Sequence, residues 1–164
     1  PLRLVGSEMC IRDSNNTCMT FFLKPVTPTI GSHHASAAYL PEADPEAQVG
    51  QFTSVDVATG ETRWTHRQRA GIGGSVLTTA GGLVFVSDDA RRFRAFDADS
   101  GEILWEQILN SAAGGFPVSY SVGGEQYIAI AAGVGTNYFV HTPEIRQRSA
   151  GNTCLLYTSD AADE

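Results

Sequence analysis

The chain has 164 residues, a formal net charge of −7 and 17 glycines. That length suits one domain with a buried core, and the acidic balance argues against a nucleic-acid surface. No apolar run reaches the roughly 20 residues of a membrane helix, and short Val, Ile, Thr, Phe and Tyr runs between glycines mark an all-β composition.

The first segment, residues 1–14 (PLRLVGSEMCIRDS), makes a poor signal peptide, because Arg3, Glu8, Arg12 and Asp13 interrupt any apolar stretch. It is better read together with the last segment, 153–164. MCIRDS can be encoded ATG TGT ATA AGA GAC AG, and CLLYTS can be encoded TGT CTC TTA TAC ACA TCT. With a G-ending codon for Glu8, the two DNA strings are reverse complements over their shared length. Both ends therefore resemble translated sequencing-adapter DNA, and 1–14 and 153–164 are expected to be non-native and to lack packing against the middle. Setting them aside removes Cys10 and Cys154 and leaves Cys18. Residues 15–152 are then expected to be part of a longer protein.

Strands are predicted near 17–23, 51–56 and 61–66, with a Pro/Ala-rich insertion at 24–49 that lacks clear periodicity. Long insertions of this kind sit on one face of a fold, over a site or a partner. Further strands are predicted near 75–79, 83–87, 92–97 and 102–107, and then near 117–122 and 126–132. Gly81-Gly82 and Gly123-Gly124 supply the hairpin turns.

Two of these stretches align without a gap, FTSVDVATGETRW and FRAFDADSGEILW. They place Asp56 on Asp97, Gly60 on Gly101 and Trp64 on Trp105. A strand-rich repeat of about 40 residues indicates propeller blades, each a four-stranded antiparallel sheet. In each copy the Asp is expected to accept backbone N–H bonds inside a tight turn. The Gly supplies the positive φ that closes the turn, and the Trp is expected to pack against a neighbouring sheet. Residues 75–107 thus form one complete blade. The 17–66 strands are the last three of the blade before it, and 117–132 begins the next. Inter-blade faces left uncovered would make such a segment marginal alone.

Other candidates carry less. Asp56 and Asp97 read as structural, and Asp88, Asp89, Arg91 and Arg92 read as a solvated mixed-charge turn. His33 and His34 are adjacent, a poor arrangement for sharing one ion without further ligands. No nucleophile–base arrangement or phosphate-binding loop is visible.

GGSVLTTAGGLVFVSDDARRFRAFDADSGEILWE followed by GFPVSYSVGGEQYIAIAAGVG resembles the C-terminal blades of pyrroloquinoline-quinone (PQQ)-dependent alcohol dehydrogenases. NNTCM upstream resembles a short motif that precedes those blades. The resemblance implies an eight-bladed periplasmic propeller that binds PQQ and a calcium or lanthanide ion in its channel. It implies hydride transfer from an alcohol to the quinone, and electron transfer onward to a cytochrome c or a membrane quinone. The metal ligands and the catalytic carboxylate of such enzymes lie in earlier blades, so neither is expected here. By the same resemblance Ile72, Gly73, Gly74, Ser75 and Asn137 are the cofactor-binding candidates. Relatives often carry Trp where Ile72 and Asn137 stand, which disfavours a methanol-specific enzyme. A plain loop-to-strand turn is the competing account of 72–75. Cys18 matches a position that joins a disulfide in some relatives, and a buried free thiol is the other possibility. Quinone-free propellers that bind protein partners share the Asp–Gly–Trp repeat; the insertion and the TAGGLVF and GEQYIAI stretches favour the dehydrogenase.

Overall fold

The computed structural model describes residues 11–17, 20–23, 27, 30, 37–40, 44–133, 142, 144–145 and 153–158. Among them every regular element is a strand. In chain order these are β1 (Ile11–Thr17), β2 (Thr20–Leu23), β3 (Ala37–Leu40), β4 (Gly50–Asp56), β5 (Thr62–Gln68) and β6 (Leu77–Thr78). They continue as β7 (Leu83–Ser87), β8 (Arg92–Asp97), β9 (Ile103–Ile108), β10 (Val118–Val122), β11 (Glu125–Ala132) and β12 (Thr153–Thr158). The central sheet runs β6-β7-β8-β9, flanked by β1-β4-β5 and β10-β11-β12, with β2-β3 apart. The expected complete blade is this central antiparallel meander, displaced by no more than two residues at any strand end.

The repeat reaches deeper than its sequence signature. Trp64 stands opposite Ser54 and Trp105 opposite Ala95, and both pairings are followed by a register shift, between Ser54 and Val55 and between Ala95 and Phe96. The two bulges are thus equivalent, and each twists the end of its hairpin at the Asp turn. In the first turn the Gly60 N–H donates to the Asp56 carbonyl at 2.7 Å, and Asp56 Oδ1 accepts from Ala58 and Thr59. In the second the Gly101 N–H donates to Asp97 at 2.9 Å, and Asp97 Oδ1 accepts from Asp99 and Ser100. Both glycines have φ near +75° (76° and 74°), which a side chain tolerates poorly. Arg63 and the turn N–H groups hold the Asp56 carboxyl below its ordinary range, and Ser100 does the same for Asp97.

Two apolar layers hold the three larger sheets together. β7 and β8 carry apolar side chains on both faces, because each is covered on both sides. Val84, Val86 and Phe96 turn toward β4–β5, where they meet Phe52, Ile72 and Trp64. Phe85, Phe93 and Ala95 turn the other way, toward Ile128, Ile130, Trp105 and Leu109. The Trp64 indole N–H donates to the Ala98 carbonyl at 2.9 Å, and its ring stacks on Phe96 and meets Phe52 edge-on. Trp105 meets Phe93 edge-on at 6.1 Å and packs against the second layer. The two tryptophans therefore occupy equivalent strands; Trp64 packs across to the neighbouring sheet, and Trp105 packs on Phe93 and the second apolar layer. On the far face of β10, Val118, Tyr120 and Val122 are exposed, which matches the uncovered inter-blade face anticipated above.

Three expectations need correction. The strand placed at 17–23 is split: β1 ends at Thr17 and pairs with β4, whereas β2 pairs with β3. The 24–49 insertion is thus not free of regular structure, since it contains β3, which the Pro/Ala-rich composition hid. The segments 11–14 and 153–158 are not detached either. Ile11–Ser14 pair with Thr53–Asp56, and β12 pairs with β11 from Tyr127 to Ala132. The reason is generic: the edges of β4 and β11 present unpaired N–H and C=O groups that any extended segment can satisfy. Residues 1–10 and 159–164 lie outside the described residues.

Candidate functional site

The connection between β5 and β6, residues 69–76, carries four of the five cofactor candidates. They do not face one way. Ile72 is only 2% exposed, with its side chain in the first apolar layer. Gly73 is exposed, Gly74 is buried and Ser75 is half-buried. A Cβ on Gly74 would collide with the Ser87 hydroxyl and would stand 3.0 Å from the Ala113 carbonyl. The Ser87 hydroxyl donates to that carbonyl. Gly74 is therefore a packing requirement of the chain itself. Asn137 lies outside the described residues, as do Cys18 and the His33-His34 pair.

A signal in the sequence could have revealed this. Gly73-Gly74 recurs as Gly114-Gly115 one blade later, and a Cβ on Gly115 would stand 3.1 Å from the Ala131 carbonyl. The surrounding bonds recur too. The Asp89 N–H donates to the Gly71 carbonyl at 2.9 Å, and the Gly133 N–H donates to Ala112 at 3.0 Å. In both blades the second glycine lets the connection lie against the end of the second strand of the following sheet.

Beneath the connection is a polar network that sequence reasoning placed in solvent. Asp88 and Asp89 are 3% and 4% exposed. Asp88 Oδ2 accepts from Arg94 Nη1 and Gln68 Nε2, both at 2.9 Å, and Asp88 Oδ1 accepts from the Arg92 N–H. Arg94 donates again to Gln68 Oε1 at 2.7 Å and to Glu106 Oε2 at 2.6 Å. Gln68 Nε2 also donates to the Ala70 carbonyl at 3.0 Å. The charges turn inward because Arg94 shares the face of β8 that carries Phe96, against β5. Alternation along RFRAFD contains that information, but the charged DDARR run obscured it. The network joins two sheets and fixes the carbonyl from which the 71–75 tract departs. Buried polar groups of this kind are tolerated because their hydrogen bonds are made.

Burial, reinforced by the neighbouring Asp88 charge, raises the Asp89 carboxyl to about 7. Between its ordinary 3.8 and about 7 the folded state keeps a proton that the unfolded state has lost. Asp89 should therefore cost stability progressively as pH rises through that window, with a constant cost above it. His66 acts oppositely there, because burial lowers its pKa and the unfolded state takes up the extra proton. Urea unfolding of the wild type and of Asp89→Asn from pH 4 to 8 isolates the Asp89 part. The variant should gain relative stability as pH rises to about 7, and a constant difference would show that Asp89 does not titrate in that range.

No group of three or more His, Cys, Asp or Glu residues among the described residues is arranged to hold a metal ion. No helix among them is long and apolar enough to cross a membrane.

Known proteins share this arrangement. Methanol dehydrogenase [cytochrome c] subunit 1 of Paracoccus denitrificans is 38% identical over 96 residues, covering 58% of this chain and 15% of its own length. Quinoprotein ethanol dehydrogenase of Pseudomonas aeruginosa is 30% identical over 115 residues, covering 70% of this chain and 18% of its own. Among solved structures, a europium-containing methanol dehydrogenase superposes with a TM-score of 0.62 at 29% identity, over 76% of this chain and 22% of that one. This chain thus spans less than a quarter of the length of these relatives. The family model for the PQQ glucose/ethanol/alcohol dehydrogenase β-propeller domain matches residues 46–128. That match takes in the Asp-turn repeat, both tryptophans and the complete central blade, so the chain belongs to the PQQ glucose/ethanol/alcohol dehydrogenase β-propeller family.

Proposed function

We propose that this chain forms part of a periplasmic PQQ-dependent alcohol dehydrogenase and contributes blades to the wall of its quinone-binding channel. The observation that carries the reading is the family match across the β5–β6 connection and the blade that follows it. The chain's own residues fit a polyanionic quinone at two points. Gly73 and Ser75 remain accessible on the connection, where a backbone N–H and a hydroxyl can meet a carboxylate. Gly74 and Ile72 act from below: Gly74 seats the connection on Ser87 and Ala113, and Ile72 anchors it in the apolar layer. Asn137 is retained as a candidate contact.

The chemistry that PQQ supplies when bound is hydride acceptance from the alcohol carbon, with calcium or a lanthanide polarising its carbonyl. In this reading the metal ligands and the proton-accepting carboxylate lie on other blades. This segment orients the cofactor and keeps water away from it, and electrons leave to a cytochrome c or a membrane quinone. The segment by itself should not oxidise alcohols.

Quinone titration of the whole protein tests the assignment. Ser75→Ala should weaken PQQ binding by about tenfold, the value of one lost hydrogen bond to a charged group, and Gly73→Leu should weaken it by crowding the approach to the backbone N–H. A melt without quinone should show both variants folded. Unchanged affinity in both would remove the connection from the site. Absence of PQQ binding by the unmodified protein would favour the quinone-free, partner-binding kind of propeller.

A further inference from the structure

Arg69 is the first residue after β5, and its guanidinium reaches two other parts of the chain. Nε donates to Glu144 Oε1 at 2.7 Å. Nη1 donates to the carbonyls of Asp44 and Ala47, both at 3.0 Å. Those carbonyls belong to one tight turn, in which the Ala47 N–H donates to Asp44 O and Asp44 Oδ1 accepts from the Glu46 N–H. One planar cation thus fastens the 44–47 end of the insertion and Glu144 to the start of the β5–β6 connection.

A second contact makes the same junction independently. Just beyond the insertion, Gly50 lies so close to the Ala70 carbonyl that a Cβ there would collide with it. Val49 beside it is buried. The connection itself is firm at this point. Gln68 holds the Ala70 carbonyl and Asp89 holds the Gly71 carbonyl. Whatever is fixed to Arg69 is therefore fixed relative to Gly73 and Ser75, a few residues further on.

We propose that Arg69 is a positioning residue that ties the 44–47 turn and Glu144 to the start of the β5–β6 connection, and so governs how firmly a ligand is held at the Gly73–Ser75 tract. The argument is geometric. An exposed ion pair such as Arg69–Glu144 contributes little energy by itself, but a guanidinium with three acceptors in fixed directions sets the relative placement of all three segments. An ammonium has the charge without the planar fork. Lysine should therefore restore the charge and only part of the clasp.

This inference rests on the assignment of Gly73 and Ser75 to the quinone site, so its test has two arms. The first is backbone hydrogen exchange in the whole protein without quinone, comparing wild type, Arg69→Met and Arg69→Lys. In Arg69→Met, exchange should rise together at 44–50 and at 71–75, by about tenfold if hydrogen bonds to a charged group are lost. Arg69→Lys should fall between the two. The second arm is the PQQ dissociation rate, which should rise by about tenfold in Arg69→Met with little change in the quinone-free melting temperature. Faster exchange confined to 44–50, or an unchanged dissociation rate, would reduce Arg69 to a local tie and overturn the proposal. If the unmodified protein binds no PQQ, the functional reading fails, and coupled or uncoupled exchange at the two segments still decides whether the clasp exists. Should Arg69→Met fail to fold, Arg69→Lys carries both measurements.

Discussion

Replacing Arg94 with methionine should destabilise the folded chain by roughly 3–5 kcal/mol, the cost of leaving a buried carboxylate without its cation. Asp88 would lose the Arg94 cation, 2.9 Å from its carboxylate, while remaining 3% exposed. The Gln68 carbonyl oxygen and Glu106 would each lose a donor. The reciprocal change, Asp88→Leu, should cost less, because Arg94, whose side chain is only 7% exposed, keeps its pair with Glu106 and its bond to Gln68 Oε1. Because the pair acts as a unit, the double variant should cost much less than the two single changes added together. Urea unfolding of the four proteins at constant pH measures this. Single-variant losses below about 1 kcal/mol, the value of an exposed pair, would show that the network is not desolvated as described.

Trp64→Ala should also be damaging, at roughly 3 kcal/mol, the low end for truncating a large aromatic, since Trp64 is half-buried. Its indole is packed by Phe52 and Phe96, tied to the Ala98 carbonyl and laid across the Gly101 turn, where a Cβ would stand 2.6 Å from the ring. Removing it opens the layer between two sheets and leaves that carbonyl without its indole donor. Trp105→Ala, on the equivalent strand, should also destabilise strongly, since it packs on Phe93 and the second apolar layer. Thermal melts of both variants provide the comparison. A near-neutral result for either would mean that the two tryptophans do not hold adjacent sheets together.

Both predictions concern the junctions between sheets, and the sequence exposed these junctions unequally. The tryptophans were legible because their repeat copies line up with Asp and Gly at fixed spacing. Those local turn chemistries depend on a few neighbouring residues. The Asp88–Arg94 network was not legible. DDARR reads as a solvated hairpin until it is known that β5 lies across that face of β8. Which charges become buried depends on which sheet covers them, and covering is a long-range property.

The cofactor tract divides in the same way. The glycine pair and the entry to a strand could be read from the sequence, and the resemblance marked the tract as near a quinone. That Ile72 points into the core, and that Gly74 makes room for Ser87 and Ala113, follows only from how successive sheets stack. The repeat of the pair at Gly114-Gly115 carried a hint, because a feature required at two successive blade entries answers to packing before it answers to a ligand.

By itself, then, the sequence determined the all-β class, the hairpins, the blade repeat and the strand order of the central sheet. Alternation, turn residues and sequential neighbours are local physics, written into a few adjacent side chains. Tertiary structure decided that β1 rather than a 17–23 strand pairs with β4, that the insertion contains β3, and that Arg69 gathers three distant segments. It also decided that Asp88 and Asp89 are buried. Each of these depends on which backbone edge or face is left open when the sheets assemble, and an open edge accepts whatever extended segment or charged group reaches it with its hydrogen bonds in order.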